Sequence, residues 1–417
     1  MTRPRVLAFV MAGGEGTRLR PFTEALPKPA LPFGGRHCII DFVLSNLYNS
    51  SIGHVYVLLQ YRPEALLHHL SETWAPLFHA AGRRVSPVLP ERTPGGSPFL
   101  GTADSVRRCL DLIEAHAPEV VAVFAADHVY RMDVQQMVRF HQQNCADATV
   151  AAVPVPLARA RDFGVIATNA RRRIHEFLEK PDAPMAMPDD PGSAYASMGN
   201  YVFEPEILRY ALVESAQRNE HDFGRHVLPR LVKTSQVYAY NFAENHVPGV
   251  RAYEEQSYWR DIGNVEAYVA AHRDTLGQEP CFDIENPHWP ILPHRHISRT
   301  TAASAAISNA LEPDTVARGA VVSNSVLHKG ARVEAGAQVY DCIIMERARI
   351  GRGACVRNAV VGAGSVIDEN THIGYDATAD RLRYAVMPSG VVIVPPASDA
   401  RFGPHSMRRT LRLAVGE

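Results

Sequence analysis

Residues 10–29 read Val-Met-Ala-Gly-Gly-Glu-Gly-Thr-Arg-Leu-Arg-Pro-Phe-Thr-Glu-Ala-Leu-Pro-Lys-Pro. Gly13, Gly14 and Gly16 let the backbone come close to an anion and take positive φ, so that successive N–H groups converge on phosphate oxygens. Arg18 adds a planar donor fork, and Lys28, stiffened between two prolines, adds a point charge. The spacing fits neither G-x-x-x-x-G-K-[ST] nor G-x-G-x-x-G. It is a phosphate grip of another kind. Two carboxylates extend the chemistry: Asp127 follows the apolar run 120–126, and Asp261 lies in Tyr258-Trp259-Arg260-Asp261-Ile262-Gly263. Either alone reads as a helix cap or a turn. Beside a phosphate grip they read as oxygen ligands for magnesium, which keeps several of its waters. Glu179-Lys180-Pro181 closes an alternating stretch with a glutamate suited to sugar hydroxyls and a lysine suited to a phosphate monoester.

These residues need a scaffold that holds them at strand ends. Short β-branched runs at 6–11, 55–59, 120–125 and 149–154 alternate with helical apolar spacing at 41–49, 102–115 and 133–143. The alternation predicts an α/β catalytic domain over 1–275, with a Rossmann-like, mostly parallel sheet covered on both faces. Such sheets bind ligands beyond the carboxyl ends of their strands, where Gly13 and Asp127 fall. A Pro- and His-containing linker is expected at 276–312. Beyond it, apolar residues recur every six positions: Val321, Leu327, Val333, Val339 and Met345, then Ile344, Ile350 and Val356, then Val361, Ile367 and Ile373. Hexapeptide spacing of this kind predicts a left-handed parallel β-helix over 313–395, followed by a tail at 396–417. Two one-residue slips in the spacing predict irregular corners.

The bulk numbers restrict the partners. A chain of 417 residues suits two domains. A net charge of −1 gives no global field for nucleic acid or for an anionic membrane. The longest apolar runs fall far short of the roughly 20 residues that a membrane helix needs. No cleavage-like site follows residues 6–12, so a signal peptide is not expected. The six cysteines show neither a CxxC pair nor zinc spacing, and read as reduced thiols of a cytoplasmic protein.

The string G-G-x-G-T-R-L-x-P-x-T, followed by P-K-P, resembles the signature of the sugar nucleotidyltransferases. Further strings narrow the resemblance: Pro32-Phe33-Gly34-Gly35, Ile39-Ile40-Asp41-Phe42-Val43-Leu44-Ser45-Asn46, Gly101-Thr102-Ala103-Asp104, Ser197-Met198-Gly199-Asn200-Tyr201-Val202-Phe203, His221-Asp222-Phe223-Gly224, Tyr258-Trp259-Arg260-Asp261 and Trp289-Pro290-Ile291. Together, and in this order, they resemble the ADP-glucose pyrophosphorylase (glucose-1-phosphate adenylyltransferase) family from residue 6 to about 375. The resemblance implies that ATP and glucose 1-phosphate give ADP-glucose and diphosphate, for glycogen synthesis, in a magnesium-dependent homotetramer. It implies ATP binding by Gly13, Gly14, Gly16, Thr17, Gln60, Gly101, Thr102 and Ala103. Arg18, Lys28 and Asp127 would be catalytic, and Asp127 with Asp261 would hold the metal. Phe99, Gly164, Glu179, Lys180, Ser197, Tyr201, Asp222, Phe223 and Trp259 would line the glucose 1-phosphate site.

The chain departs from the family in several places. Leu89-Pro90-Glu91-Arg92-Thr93 stands where bacterial members commonly carry Pro-Ala-Gln-Gln-Arg. Phe99 stands in place of a tyrosine, and Leu100 in place of a polar or basic residue. Members activated by fructose 1,6-bisphosphate use basic side chains where this chain has Ala25, Leu26, Pro32 and Cys38. Each lost charge-assisted bond is worth roughly 1.5–3 kcal/mol. Weak or absent activation by that metabolite is therefore expected, and another small-molecule effector stays open, with the stripe Arg347, Arg349, Arg352 and Arg357 as a place for an anion. Three alternatives remain at this stage: a transferase using UTP, dTTP or GTP, a weakly catalytic regulatory subunit, and an acyltransferase built on the hexapeptide repeats.

Overall fold

The computed structural model describes residues 4–93, 96–293 and 315–397; the second half of the expected linker and nearly all of the expected tail lie outside the described residues. Contacts gather the chain into two units, one of Met1–Gly13, Val43–Ala126 and Tyr130–Pro248, the other of Gly14–Phe42, Asp127–Val129 and Gly249–Glu417. The chain thus passes from the first unit to the second inside the glycine loop and again between Ala126 and Asp127.

The first unit is built on a nine-stranded sheet. Its strands are β1 Val6–Met11, β2 His54–Leu58, β3 Arg84–Val88, β4 Val120–Ala125, β5 Ala148–Pro156, β6 Gly164–Thr168, β7 Ile174–Glu179, β8 Ser193–Phe203 and β9 Val237–Asn241. They lie in the order β7-β6-β8-β4-β1-β2-β3, with β5 paired to β8 and β9. Strands β3, β2, β1 and β4 run parallel, and so do β5 and β9. Strand β8 runs antiparallel to β4, β5 and β6, and β7 antiparallel to β6.

The sheet is therefore mixed, which corrects the expectation of a mostly parallel one. The cause is local: only the four-residue helix Leu157–Ala160 interrupts the stretch from β5 to β8. Parallel pairing requires a crossover of a dozen or more residues, so β6 and β7, joined by residues 169–173 alone, turn back on each other. Leu7, Phe9, Val121, Val123, Val150 and Phe203 form part of the core on this sheet. Each such fully buried side chain contributes about 1.5–3 kcal/mol. The helix expected at 102–115 is broken into Thr102–Arg107 and Leu110–His116.

In the second unit the six-residue pattern forms three short parallel sheets. Val322, Val339, Val356 and Ile373 share one inward column; Leu327, Ile344 and Val361 share the second; Val333, Ile350 and Ile367 share the third. Partners are 17 residues apart along these three columns, as in Val321 with Gln338 and Gln338 with Cys355; the ladder that follows, Ala359–Val361 with Val392–Val394, skips the helix Ala377–Arg381. Inward residues therefore step by five, six and six, and the short step accounts for the one-residue slips in the sequence. It also turns Val321 outward, 44% exposed, while Val322 points in.

A second apolar cluster in this unit joins Leu19, Phe22, Leu31 and Phe33 of the early segment to Tyr268 and to Ile343, Met345, Val360 and Ile393 of the coil. The Tyr268 hydroxyl donates to the Pro32 carbonyl, and Arg273 Nη2 donates to Asn358 Oδ1 at 2.8 Å.

Burial pushes two histidines down to about 4: His141, whose Nδ1 lies 2.9 Å from Thr149 Oγ1, and His272, whose Nδ1 lies 2.9 Å from the Tyr268 carbonyl oxygen. His328, buried and facing His272, is held well below its ordinary value. All three stay neutral in the fold while an unfolded chain takes up protons near pH 6.5. The unfolded state then binds more protons, so stability falls as pH drops from about 6.5 toward 4, by up to about 1.4 kcal/mol per pH unit for each group. Thermal unfolding at pH 7.5, 6 and 5 should show this decline, and His141→Gln should make it shallower while His272 and His328 keep the remainder. A midpoint independent of pH over that range would contradict the assignment.

Candidate active site

The second unit holds the phosphate-gripping segment and both aspartates. Gly16 adopts φ +66°, and a Cβ built there would lie 2.9 Å from Lys28 Cβ and 3.2 Å from Thr23 Cγ2. Both the left-handed backbone and the close approach demand glycine. The Thr23 hydroxyl donates to the Gly16 carbonyl at 2.8 Å and fixes the turn. Gly14 is exposed, with nothing within 4 Å of a built Cβ, so its steric freedom serves no internal packing. Thr17 and Arg18 are exposed on the single helical turn Thr17–Leu19, anchored by buried Leu19.

Lys28 is 8% exposed. Its Nζ lies 2.8 Å from Asp127 Oδ2 and 3.3 Å from Asp261 Oδ1. Burial alone would lower its pKa; the charges of the two aspartates and their hydrogen bonds outweigh burial and raise it. Burial would likewise raise the Asp127 pKa, but Lys28 and then His128 pull it well below the usual carboxylate range. His128 Nε2 stands 3.5 Å from Asp127 Oδ1 and 3.8 Å from Asp261 Oδ1, with its ring 5.0 Å from Trp259. A Cβ built at Gly263 would lie 3.1 Å from Asp261 Oδ2 and 3.6 Å from Arg18 Nη2, which puts the Arg18 fork beside the Asp261 turn.

Asp127, His128 and Asp261 offer ligand atoms within 4.8 Å of one another. Two carboxylates that converge on one ammonium form a donor set suited to a divalent cation, with Lys28 Nζ as the cation in residence.

The first unit holds the other expected residues. Gly13 lies two residues beyond the end of β1, and a Cβ there would lie 3.4 Å from Gln60 Cβ. Gln60 is engaged with the backbone of Phe99: its Oε1 accepts the Phe99 N–H, and its Nε2 donates to the Phe99 carbonyl at 3.2 Å. Gly101 begins the helix Thr102–Arg107, and a Cβ there would strike the His221 carbonyl oxygen at 2.4 Å. That carbonyl accepts the Ala103 N–H at 2.8 Å. Thr102 Oγ1 donates to Asp222 Oδ2 at 3.2 Å and accepts the Phe223 N–H at 3.0 Å. The residues expected on the ATP side are thereby bonded to residues expected on the sugar side.

Glu179 Oε2 would lie 3.0 Å from a Cβ at Gly164 or at Gly224, so both glycines clear room for this carboxylate. Lys180 takes φ +53°, donates its N–H to the Phe163 carbonyl at 3.0 Å, and leaves its ammonium half-exposed, 3.7 Å from Glu179 Oε1. Ser197 and Tyr201 flank a register shift in β8, where Gly199 has φ +69°. Tyr201 packs on Phe223 with ring centroids 5.6 Å apart. Of the departures, Glu91 is exposed on the turn Pro90–Arg92, Phe99 is buried, and Leu100 is 62% exposed.

Other residues that shape the site were not singled out for a role from the sequence. Asn200, fully buried, accepts the Ala125 N–H at the end of β4 and donates to the Tyr130 hydroxyl at 3.1 Å. Thr23, His128, Asp104 and Arg108 also belong here. His128 adjoins Asp127, Asp104 ends the Gly101–Asp104 string, and Arg108 stands at i,i+4 from Asp104, which are the signals that the sequence carries.

Comparison with known proteins agrees with this geometry. A nucleotidyl transferase family model matches residues 7–278, and a model of the GlmU-like C-terminal hexapeptide matches residues 293–394. Fold and site thus define a nucleotidyl transferase with an α/β domain and a C-terminal hexapeptide region. Glucose-1-phosphate adenylyltransferase from Thermodesulfovibrio yellowstonii is 43% identical over 95% of this chain and 97% of its own length. The protein of the same name from Corynebacterium jeikeium is 40% identical over 94% and 98%, and glucose-1-phosphate adenylyltransferase 1 of Vibrio vulnificus (strain CMCP6) is 35% identical over 94% and 98%. The chain belongs to the glucose-1-phosphate adenylyltransferase family.

Proposed function

We infer that this protein transfers the adenylyl group of ATP to glucose 1-phosphate, giving ADP-glucose and diphosphate for glycogen synthesis. The observation that carries the reading is the convergence of Asp127 and Asp261 on Lys28, beside a glycine loop, in a chain of this family. A phosphate oxygen of glucose 1-phosphate attacks the α-phosphorus of ATP, the bond from that phosphorus to the bridging oxygen breaks, and diphosphate leaves. The nucleophile is already an oxyanion, so no protein base is required. Positioning and charge neutralisation carry the catalysis.

The N–H groups of Gly13, Gly14 and Gly16, with the Thr17 hydroxyl, hold the triphosphate. Arg18 and Lys28 neutralise the leaving diphosphate. Gln60 and the backbone at 99–103 present the edge against which base and ribose rest. Lys180 meets the sugar phosphate, and Glu179 and Asp222 orient sugar hydroxyls over the apolar floor of Tyr201 and Phe223. Magnesium, held by Asp127 and Asp261, supplies Lewis-acid polarisation of phosphate oxygens when bound. We also assign residues 1–275 to the catalytic domain and 313–395 to a left-handed β-helix, and expect a homotetramer in the cytoplasm with weak response to fructose 1,6-bisphosphate. No helix among the described residues is long and apolar enough to cross a membrane.

Diphosphate release should be measured with ATP, UTP, dTTP and GTP against glucose 1-phosphate and other sugar 1-phosphates. ATP with glucose 1-phosphate is expected to be preferred by at least about tenfold, a difference of about 1.4 kcal/mol in transition-state binding. Preference for another base would overturn the nucleotide assignment, and turnover near zero with every pair would favour a regulatory subunit.

A further inference from the structure

Four consecutive residues before Gly101 have their backbone polar groups tied down by three side chains of the first unit. Arg108 Nη1 donates to the Ser97 carbonyl at 2.6 Å and Nη2 to the Pro98 carbonyl at 3.0 Å. Gln60 takes both the N–H and the carbonyl of Phe99. Asp104 Oδ2 accepts the Leu100 N–H at 3.0 Å. Asp104 in turn holds Arg108 Nη2 at 2.9 Å and Arg107 Nη2 at 2.6 Å, with its side chain wholly buried. The Arg108 guanidinium, 6% exposed, also lies 5.6 Å from the centre of the Phe99 ring.

This is an unusual use of an arginine. Ser97, Pro98 and Leu100 are exposed, so the segment is a surface loop. Arg108 stands at the C-terminal cap of the helix Thr102–Arg107, and burying an arginine costs several kcal/mol unless it is well bonded; its Nε is buried without a hydrogen-bond partner, so the two Nη atoms carry the bonding. Here one guanidinium meets two carbonyls and a carboxylate, which the fork geometry of arginine allows and a lysine ammonium does not. The tied loop leads directly into Gly101, Thr102 and Ala103, and Gln60 at its other side rests on Gly13. The hydrogen bonds and ion pair of Arg108 go to Ser97, Pro98 and Asp104, none of them expected to touch the sugar; of the residues expected at the sugar site it meets only the ring of Phe99.

We propose that Arg108, fixed by Asp104, is a positioning residue that pre-forms loop 97–101 for the nucleotide, so that ATP meets an ordered edge. The proposal rests on the adenylyl-transfer reading. Pre-formation removes an ordering cost from binding and is felt in the affinity of the ligand that the loop meets. Phe99 and Leu100 stand where the family has more polar residues, and their side chains offer the loop no polar anchor; the helix supplies the anchor through Arg108 instead.

The test measures ATP binding by calorimetry without glucose 1-phosphate, and steady-state kinetics, for Arg108→Met, Arg108→Lys, Asp104→Asn and the wild type. ATP affinity should fall about tenfold in Arg108→Met and nearly as much in Arg108→Lys, with kcat and the KM of glucose 1-phosphate within about twofold. Asp104→Asn should move ATP affinity in the same direction. Millimolar guanidinium should restore ATP affinity to Arg108→Ala, where methylammonium should not. A lowered Tm with unchanged ATP affinity, or equal increases in both KM values, would overturn the proposal while leaving the activity in place. Wild-type protein that binds no ATP would remove the functional reading and the proposal with it.

Discussion

Lys28→Gln is expected to lower kcat about 10³-fold and, unlike an ordinary catalytic deletion, to strengthen metal binding by the ligand-free protein. Loss of one preorganised donor at a developing charge costs about 2.7–4 kcal/mol in the transition state. Lys28 is also the cation that holds Asp127 and Asp261 together, at 2.8 and 3.3 Å. Breaking a fully buried pair costs about 3–5 kcal/mol. Because the two aspartate side chains are 37% and 27% exposed, a loss of about 1–3 kcal/mol is the better expectation once solvent screening is counted. A divalent cation should recover part of it. Calorimetric titration with Mn²⁺ in the absence of nucleotide should show tighter binding to the variant than to the wild type, and Mg²⁺ should raise the variant's Tm more. Activity within tenfold of wild type would sink the role given to this lysine.

Gly101→Ala is the second large effect. The added methyl would stand 2.4 Å from the His221 carbonyl oxygen and 3.0 Å from its carbon. Both are backbone atoms, so no side chain can swing aside. Either the helix Thr102–Arg107 or the segment at 221–223 must shift, and the bonds of Thr102 to Asp222 and Phe223 shift with it. A displacement of about 1 Å at a positioning element costs roughly 10²-fold in rate. Both substrates should be affected, because the moved residues serve both. Overpacking should also cost about 1–3 kcal/mol of stability. Gly14→Ala, where nothing lies within 4 Å, is the stability control and should unfold like the wild type. Equal Tm values for all three proteins would show that the contact relaxes freely.

Much of this was readable from side-chain pattern. Strands Val6–Met11 and Val120–Ala125 were expected at their observed bounds, because continuous β-branched runs leave little choice. Strand β8 was not foreseen, although its motif was quoted. Residues 193–203 lack alternation because a register shift between Ser197 and Tyr201 turns successive side chains away from a simple two-residue period. The hexad in the coil was legible, while its true repeat of 17 emerged only from which residues pair. At the site, residue type pointed to Lys28, Asp127 and Asp261 individually. Their mutual bonds span 99 and 233 positions of sequence, and no spacing rule reaches that far. Arg108 offered one signal, its i,i+4 spacing from Asp104, which is shared by many surface pairs; its other partners are backbone carbonyls, which every sequence has.

The apolar cluster beneath Leu19, Phe22, Leu31 and Phe33 is completed by Ile343, Met345, Val360 and Ile393, about 350 residues later. At a synthesis rate of roughly 5–20 residues per second, the ribosome needs about 20–70 s to travel from the early segment to the last coil. For that interval the cluster around the segment bearing Arg18 and Lys28 is incomplete: Phe42, Val129, Tyr258, Tyr268 and Phe282 are made earlier, and the coil adds the last side chains. The nucleotide grip is encoded among the first residues made, yet the apolar cluster that carries it closes only when the last coil is in place.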